Sequence, residues 1–144
     1  AFVFNQYGLV SADYEFNDIS TARISATGFS FADVNNEIRR KYTATNTVRI
    51  GTEWRINNFT IRAGGGLTSS PMNTKYAVSG ADFSQKSLTA GFGVRDKNVF
   101  LDFGYAYTET KGYLQPYTLN FLEVAGVRET MVRSNFTMTF GVKF

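Results

Sequence analysis

The sequence predicts an all-β fold, built as one antiparallel sheet of about seven strands. Apolar and polar residues alternate with period two through much of the 144-residue chain, which is typical of strands with two different faces. Long and short connections alternate between these strands, and glycines concentrate on the polar face. The predicted strands cover residues 1–4, about 9–19, about 47–56, 59–68, 87–95, 99–108 and 135–144.

Each strand follows from its own alternation. The first is expected to be part of a longer strand, and the other six each place a row of apolar side chains on one face. These rows are Val10, Ala12, Tyr14 and Phe16; Val48, Ile50, Trp54 and Ile56; Phe59, Ile61, Ala63 and Leu67; Leu88, Ala90, Phe92 and Val94; Val99, Leu101, Phe103, Tyr105 and Tyr107; and Phe136, Met138, Phe140, Val142 and Phe144.

The connections indicate which kind of sheet this is. Short turns at residues 5–8, 57–58 and 96–98 alternate with long loops at about 20–46, 69–86 and 109–134. This alternation is typical of transmembrane β-barrels, which have short periplasmic turns and long outer loops. Within the first long loop, the polar run DVNNEIRRKY suggests a helical turn.

The apolar face could point in two directions. In a soluble barrel or sandwich it would face a ligand or core, and in a transmembrane barrel it would face lipid. Glycines on the charged face, aromatic residues at strand ends and the lack of charge on the apolar face favour lipid. An Arg or Lys there would cost about 2–4 kcal/mol at the bilayer midplane. The sequence therefore predicts an antiparallel transmembrane β-barrel, with a soluble ligand-binding barrel as the alternative.

Composition narrows the possible functions. The chain has neither Cys nor His, which excludes disulfides, thiol chemistry and a Ser-His-Asp triad. We therefore expect no enzyme, no cofactor and no metal site. The net charge of +3 comes from interspersed basic and acidic residues, which does not favour nucleic acid as a partner.

Charged residues on the polar face are the first candidate site. They could line a polar lumen in which a basic side chain meets a substrate carboxylate, or they could pair with one another across strands. We expect a network of Arg49, Arg62 and Glu53, and a pair of Asp102 with Arg95 across the turn at 96–98. The candidates are Asp13, Glu15, Arg49, Glu53, Arg55, Arg62, Arg95 and Asp102.

Apolar residues in the long loops are the second candidate site. They could capture hydrophobic substrates outside the barrel, or they could only pack the loops over its mouth. The candidates are Phe29, Phe31, Tyr76, Phe83 and Phe121.

The closing stretch NFTMTFGVKF has a third pattern. It resembles the C-terminal signature of bacterial outer-membrane proteins, which the barrel-assembly machinery reads. The matching positions are Phe136, Met138, Phe140, Val142 and Phe144. With Phe144 at the periplasmic rim, the short turns are periplasmic, and the seven strands form an odd number. Bacterial single-chain barrels have even numbers, so either one more strand lies hidden in the sequence, or the remaining strands come from the rest of a larger barrel or from another chain. We expect the larger barrel.

Three motifs carry a family resemblance: YGLVSADYE at residues 7–15, RIGTEWR at 49–55 and GFGVRDKNVFLD at 91–102. Together they resemble the C-terminal half of FadL/TodX-type transporters of hydrophobic compounds, in the form found in Bacteroidetes-like bacteria. The resemblance implies a fourteen-stranded barrel of which this chain supplies the second half. The family's N-terminal hatch and kinked early strand have no counterpart in these residues.

The expected function is a channel in the bacterial outer membrane for hydrophobic small molecules such as long-chain fatty acids. Its expected partners are membrane lipid, lipopolysaccharide, the substrate and the assembly machinery. The alternative is a small structural or adhesion barrel that acts through its outer loops.

Overall fold

The computed structural model describes residues 1–76, 81–115, 117 and 126–143. It confirms an all-β fold with seven strands, as the alternation predicts. The strands are β1 (Phe2–Phe4), β2 (Gly8–Asp18), β3 (Ala44–Ile56), β4 (Phe59–Thr68), β5 (Gln85–Arg95), β6 (Val99–Leu114) and β7 (Val127–Val142).

The strands form one antiparallel sheet in chain order, β1-β2-β3-β4-β5-β6-β7. Each strand pairs with the next, so the sheet is a meander whose two edges are β1 and β7. The sheet is not closed within the described residues. β1 covers only Gly8–Val10 of its neighbour, which leaves most of that side of β2 unpaired.

The three short turns lie at one end of the sheet. Asn5 and Asn57 adopt positive φ angles of 50° and 54°, which Asn tolerates better than most residues. Backbone hydrogen bonds join neighbouring hairpins in a row along this end, from Arg55 N–H to Tyr7 O at 2.7 Å and from Arg95 N–H to Asn58 O at 2.8 Å. The long connections lie at the opposite end.

The predicted loop at 109–134 is wrong at both ends. Strand β6 runs on to Leu114 and β7 begins at Val127, so the hairpin continues six residues past Thr108 on β6. The alternation of apolar residues stops near Tyr107, whereas backbone pairing continues. Strand β3 likewise begins at Ala44, ahead of the predicted start.

The polar run in the first long loop forms more than a helical turn. A 3-10 helix at Ile19–Thr21 is followed by helix α1, Ala32–Lys41. Asp33 lies in the first turn of α1 and Arg39, Arg40 and Lys41 lie in the last, an order that suits the helix dipole. Glu37 pairs with both Arg40 and Lys41, and its hydrogen bond to Lys41 is the main reason its pKa is lowered.

The sheet lacks a core of its own. No apolar side chain is buried within the described residues, where the buried residues are two glycines, Gly8 and Gly93, and two threonines, Thr47 and Thr60, at 7% and 4% exposure. A soluble domain of this length normally buries a substantial apolar core. The apolar face of this sheet must therefore be covered by something outside the described residues. None of the described helices is long and apolar enough to cross a membrane.

Candidate functional site

Strand pairing makes the apolar face continuous. Residues directly opposite each other on neighbouring strands share a face. The register places Ile61 opposite Phe92, Phe92 opposite Phe103, and Phe103 opposite Met138. The apolar rows predicted for separate strands thus join into one surface across the sheet.

Ring contacts reinforce this surface. Tyr105 packs on Phe136 with ring centroids 4.8 Å apart, and Phe59 packs on Phe92 at 5.8 Å. The chain's one tryptophan, Trp54, stacks on Phe4 at 5.7 Å and remains 42% exposed.

The apolar surface ends sharply toward the long-loop end. On β6 it extends over residues 99–107, nine positions, and the next outward residue is Glu109. Glu109 lies opposite Lys86 and pairs with it at 3.0 Å. A transmembrane strand needs about 9–11 residues. The apolar stretch therefore has the length of a bilayer crossing.

On the polar face, Arg62 is the centre of an ion-pair cluster. Its Nε donates to Glu53 Oε2 at 2.7 Å and its Nη1 donates to Asp102 Oδ1 at 2.9 Å. Glu53 also pairs with Arg55 at 2.8 Å. We call these four residues the Arg62 cluster.

Two glycines allow Arg62 to reach Asp102. Arg62 lies on β4 and Asp102 on β6, and between them Gly91 and Gly93 occupy the facing positions of β5. A Cβ on Gly93 would collide with the Asp102 carboxylate, and one on Gly91 would lie 3.5 Å from Arg62 Cβ. The missing side chains therefore open a path across an entire strand.

Arg49 forms a separate and more exposed group. Its guanidinium contacts Asp13 Oδ2 at 2.7 Å and Glu15 Oε2 at 3.0 Å, and all three side chains are more than half exposed. We call these the Arg49 group. Such exposed pairs contribute little to stability because water screens them.

Both expected pairings are corrected by the register. Arg49 binds Asp13 and Glu15, whereas Glu53 belongs to Arg62, so the expected Arg49–Arg62–Glu53 network is two groups. The expected Arg95–Asp102 pair is also wrong. Arg95 lies opposite Phe100, and Asp102 lies opposite Gly93 and binds Arg62.

Two shallow grooves run along the polar face. One, of about 390 Å³, lies over β2 to β5, and the other, of about 360 Å³, lies over β4 to β7. Arg62 lines both grooves, so its side chain stands between them. A molecule passing along this face would meet Arg62 while both of its carboxylate partners are in place.

The apolar loop candidates do not form one cluster. Phe29 is 75% exposed, Tyr76 lies beneath the Arg40 guanidinium at 5.4 Å, and the Phe83 N–H donates to Ser70. Phe31 is half-buried at the start of α1. No ring contact joins these four candidates in the described part of the chain, and Phe121 lies outside it.

The residues of the closing signature share the apolar face of β7. Phe136, Met138, Phe140 and Val142 are all exposed, with Phe136 at 82%. Phe144 lies outside the described residues.

Sequence reasoning missed a charged border on the apolar face. Lys86 pairs with Glu109, and Lys111 contacts Asp82 Oδ2 at 2.9 Å, a hydrogen bond that is the main reason the pKa of Asp82 is lowered. These residues fell in predicted loops. No alternation marked them in the sequence, because Thr108 and Thr110 on the opposite face of β6 are polar as well.

Among the described residues, no three or more carboxylates lie close enough to hold a metal ion. No family model matches the chain, and no curated protein or solved structure proved significantly similar to it.

Proposed function

We propose that the chain is part of an outer-membrane β-barrel that passes hydrophobic small molecules such as long-chain fatty acids. The observation that carries the proposal is the two-faced sheet without a core. Its apolar face is continuous over seven strands, and its polar face holds glycines and ion pairs.

Lipid is the surrounding that best matches the apolar face. Soluble monomers rarely expose contiguous apolar patches above a few hundred Å². Large side chains such as Ile50, Leu88 and Met138 are each more than half exposed here. In a bilayer these side chains meet acyl chains, and the hydrophobic cost of exposing them disappears.

The edges of the sheet support a larger barrel. In a bilayer each unpaired backbone N–H or C=O costs several kcal/mol, so β7 and the unpaired side of β2 each need a neighbouring strand. We propose that the rest of the barrel, or another chain, supplies these strands. The polar face then lines the interior of the barrel.

The transport step rests on the three motifs that resemble FadL/TodX-type transporters. Inside such a barrel, the Arg62 cluster would stand in the path of a substrate. Its carboxylates already occupy the guanidinium, so we assign Arg62 to bracing the wall between β4 and β6. A fatty acid would then pass through apolar contacts and need not bind a lumenal cation.

Membrane embedding is tested through Trp54. In vesicles whose phospholipids carry brominated acyl chains, bromine quenches a tryptophan that touches lipid. We expect the brominated lipid to quench the emission of Trp54, which is identified as the part of the fluorescence that the Trp54→Phe variant lacks. If that component is unquenched, the apolar face does not contact lipid and the soluble-barrel alternative is favoured.

Transport is tested by uptake of labelled oleate in cells with and without the gene. We expect deletion to reduce uptake, and the gene carrying Arg62→Lys to restore it because the brace keeps its charge. Unchanged uptake on deletion would reject transport and leave the adhesion or interaction role. That second role is favoured by helix α1 and the exposed Phe29 at the long-loop end.

A further inference from the structure

A groove of about 450 Å³ opens on the apolar face near the long-loop end. Its floor is Gly65, which lies opposite Ile50 on β3 and Leu88 on β5. Because Gly65 has no side chain, Leu67 and Leu88 stand beside it as walls. The result is an apolar channel between the large side chains that flank it.

Charged groups close the outer end of this groove. Lys86 and Glu109 both line it, and their pair measures 3.0 Å. The Tyr107 hydroxyl donates to the other oxygen of Glu109 at 3.3 Å. The Lys86 side chain stays 54% exposed, whereas that of Glu109 is only 19% exposed. An ammonium has three donors, so Lys86 can hold Glu109 and still bind an anion.

We infer that this groove binds an acyl chain of lipid A, with a phosphate of the lipid on Lys86. The inference rests on the proposed membrane embedding, which places the long-loop end in the outer leaflet. It follows from two features that meet at one place: an apolar channel of acyl-chain character and an exposed cation directly beyond its end. Lipid A has the same order, acyl chains followed by phosphate.

A second groove on the same face provides an internal comparison. It measures about 540 Å³, and its lining includes Ala90, Phe92 and Phe136. No charged side chain lines it within the described residues. An acyl chain could lie in this second groove, but the phosphate of the same lipid would find no cation there. We therefore expect the second groove to hold ordinary membrane lipid.

The two grooves give matched variants. Gly65→Leu fills the first groove, and Ala90→Leu fills the second. A Cβ at Gly65 would lie 3.4 Å from the Ser87 carbonyl oxygen and 3.5 Å from Leu88 Cδ2, which are ordinary contacts, so the variant is expected to fold. Lys86→Gln removes the cation, and Lys97→Gln removes one at the short-turn end as its control.

The experiment is native mass spectrometry of the membrane-extracted protein titrated with lipid A. From the loss of the chain contact and of one cation, we expect affinity to fall about tenfold in Gly65→Leu and about fivefold in Lys86→Gln. Both control variants should bind as the wild type does. Heat-modifiable migration on gels confirms folding, and if Gly65→Leu does not fold, Lys86→Gln against Lys97→Gln decides.

Three results would overturn the inference. Unchanged lipid A affinity in both Gly65→Leu and Lys86→Gln would do so. An affinity loss in Ala90→Leu equal to that in Gly65→Leu would also do so, because lipid A would then bind only as part of an unspecific lipid shell. Equal competition by phosphatidylglycerol would assign the site to anionic phospholipids in place of lipid A. Quenching of Trp54 by brominated lipid separates these failures from failure of the membrane proposal, because quenching persists if only the lipid A site is wrong.

Discussion

The two faces of the sheet hold neighbouring strands together in different ways. On the apolar face, large side chains contact the next strand, as Tyr105 does with Phe136. On the polar face, glycines leave room and Arg62 reaches Asp102 across the whole of β5. Side-chain packing therefore joins adjacent strands, whereas an ion pair can join two strands that are not adjacent when the strand between them has glycines at the facing positions. The following changes test that difference, from the largest expected effect to the smallest.

Placing the same charge on each face should give the largest difference. Met138 and Thr139 are neighbours on β7 that point to opposite faces. We expect Met138→Arg to reduce the free energy of unfolding from vesicles by about 2–4 kcal/mol, because the charge would lie in lipid. Thr139→Arg lies opposite Asp102 and should cost little. Denaturant titration of the two variants in vesicles measures the difference, and similar losses would mean that neither face contacts lipid.

Removing Arg62 should have the next largest effect. Arg62→Met leaves Asp102 without this partner, while Glu53 keeps Arg55, so we expect a loss of about 1–2 kcal/mol in unfolding free energy. The matched control is Arg49→Met in the exposed Arg49 group, where the loss should stay below about 1 kcal/mol. In Arg62→Met combined with Asp102→Asn, stability should partly recover. An equal loss of unfolding free energy in Arg62→Met and Arg49→Met would contradict the bracing role of Arg62.

Adding a side chain at Gly93, between Arg62 and Asp102, should reduce the free energy of unfolding by a smaller amount. A Cβ on Gly93 would force the Asp102 carboxylate to move, so Gly93→Ala is expected to cost about 1 kcal/mol through the weakened ion pair. Gly104→Ala is the control, because its Cβ would meet nothing closer than Thr137 Cβ at 3.9 Å. That variant should be neutral or slightly stabilising, since it restricts the unfolded chain. Thermal unfolding of both variants in detergent measures the difference. A loss of stability in Gly93→Ala alone would show that the space beside Asp102 is required, and equal losses would show a general effect of replacing glycine.

The charged border should give the smallest effect, and this effect should disappear in acid. The pKa of Asp82 lies below its usual 3.8 because the side chain accepts a hydrogen bond from Lys111. The carboxylate therefore stabilises the fold above pH 3.8, and this contribution is lost as the pH falls through the lower folded pKa. Both side chains are about 40% exposed, so we expect only ~0.5 kcal/mol after solvent screening.

The measurement is unfolding free energy against pH for the wild type and Asp82→Asn. The two curves should converge at low pH, because a protonated Asp82 and the amide that replaces it both lack the charge. A constant gap between the curves would show that the carboxylate of Asp82 makes no pH-dependent contribution.

The period of two in the sequence determined the strands and the sorting of their residues into two faces, because successive side chains of a strand must point to opposite sides. The antiparallel order came from the short turns, which can join only antiparallel neighbours. Strand ends were less predictable. From Thr108 to Gly112 β6 carries no apolar side chain on either face, so the pairing up to Leu114 left no hydrophobic alternation to read.

Only the tertiary structure decided which charges meet. Asp102 and Arg95 are close in sequence, yet the register places Asp102 opposite Gly93 and within reach of Arg62, 40 residues away. Sequence distance says little about such a partner, because it depends on the register of two successive hairpins and on the absence of side chains on β5. The groove over Gly65 has the same origin: its walls come from Leu67 and Leu88, which meet only through the pairing of β4 with β5.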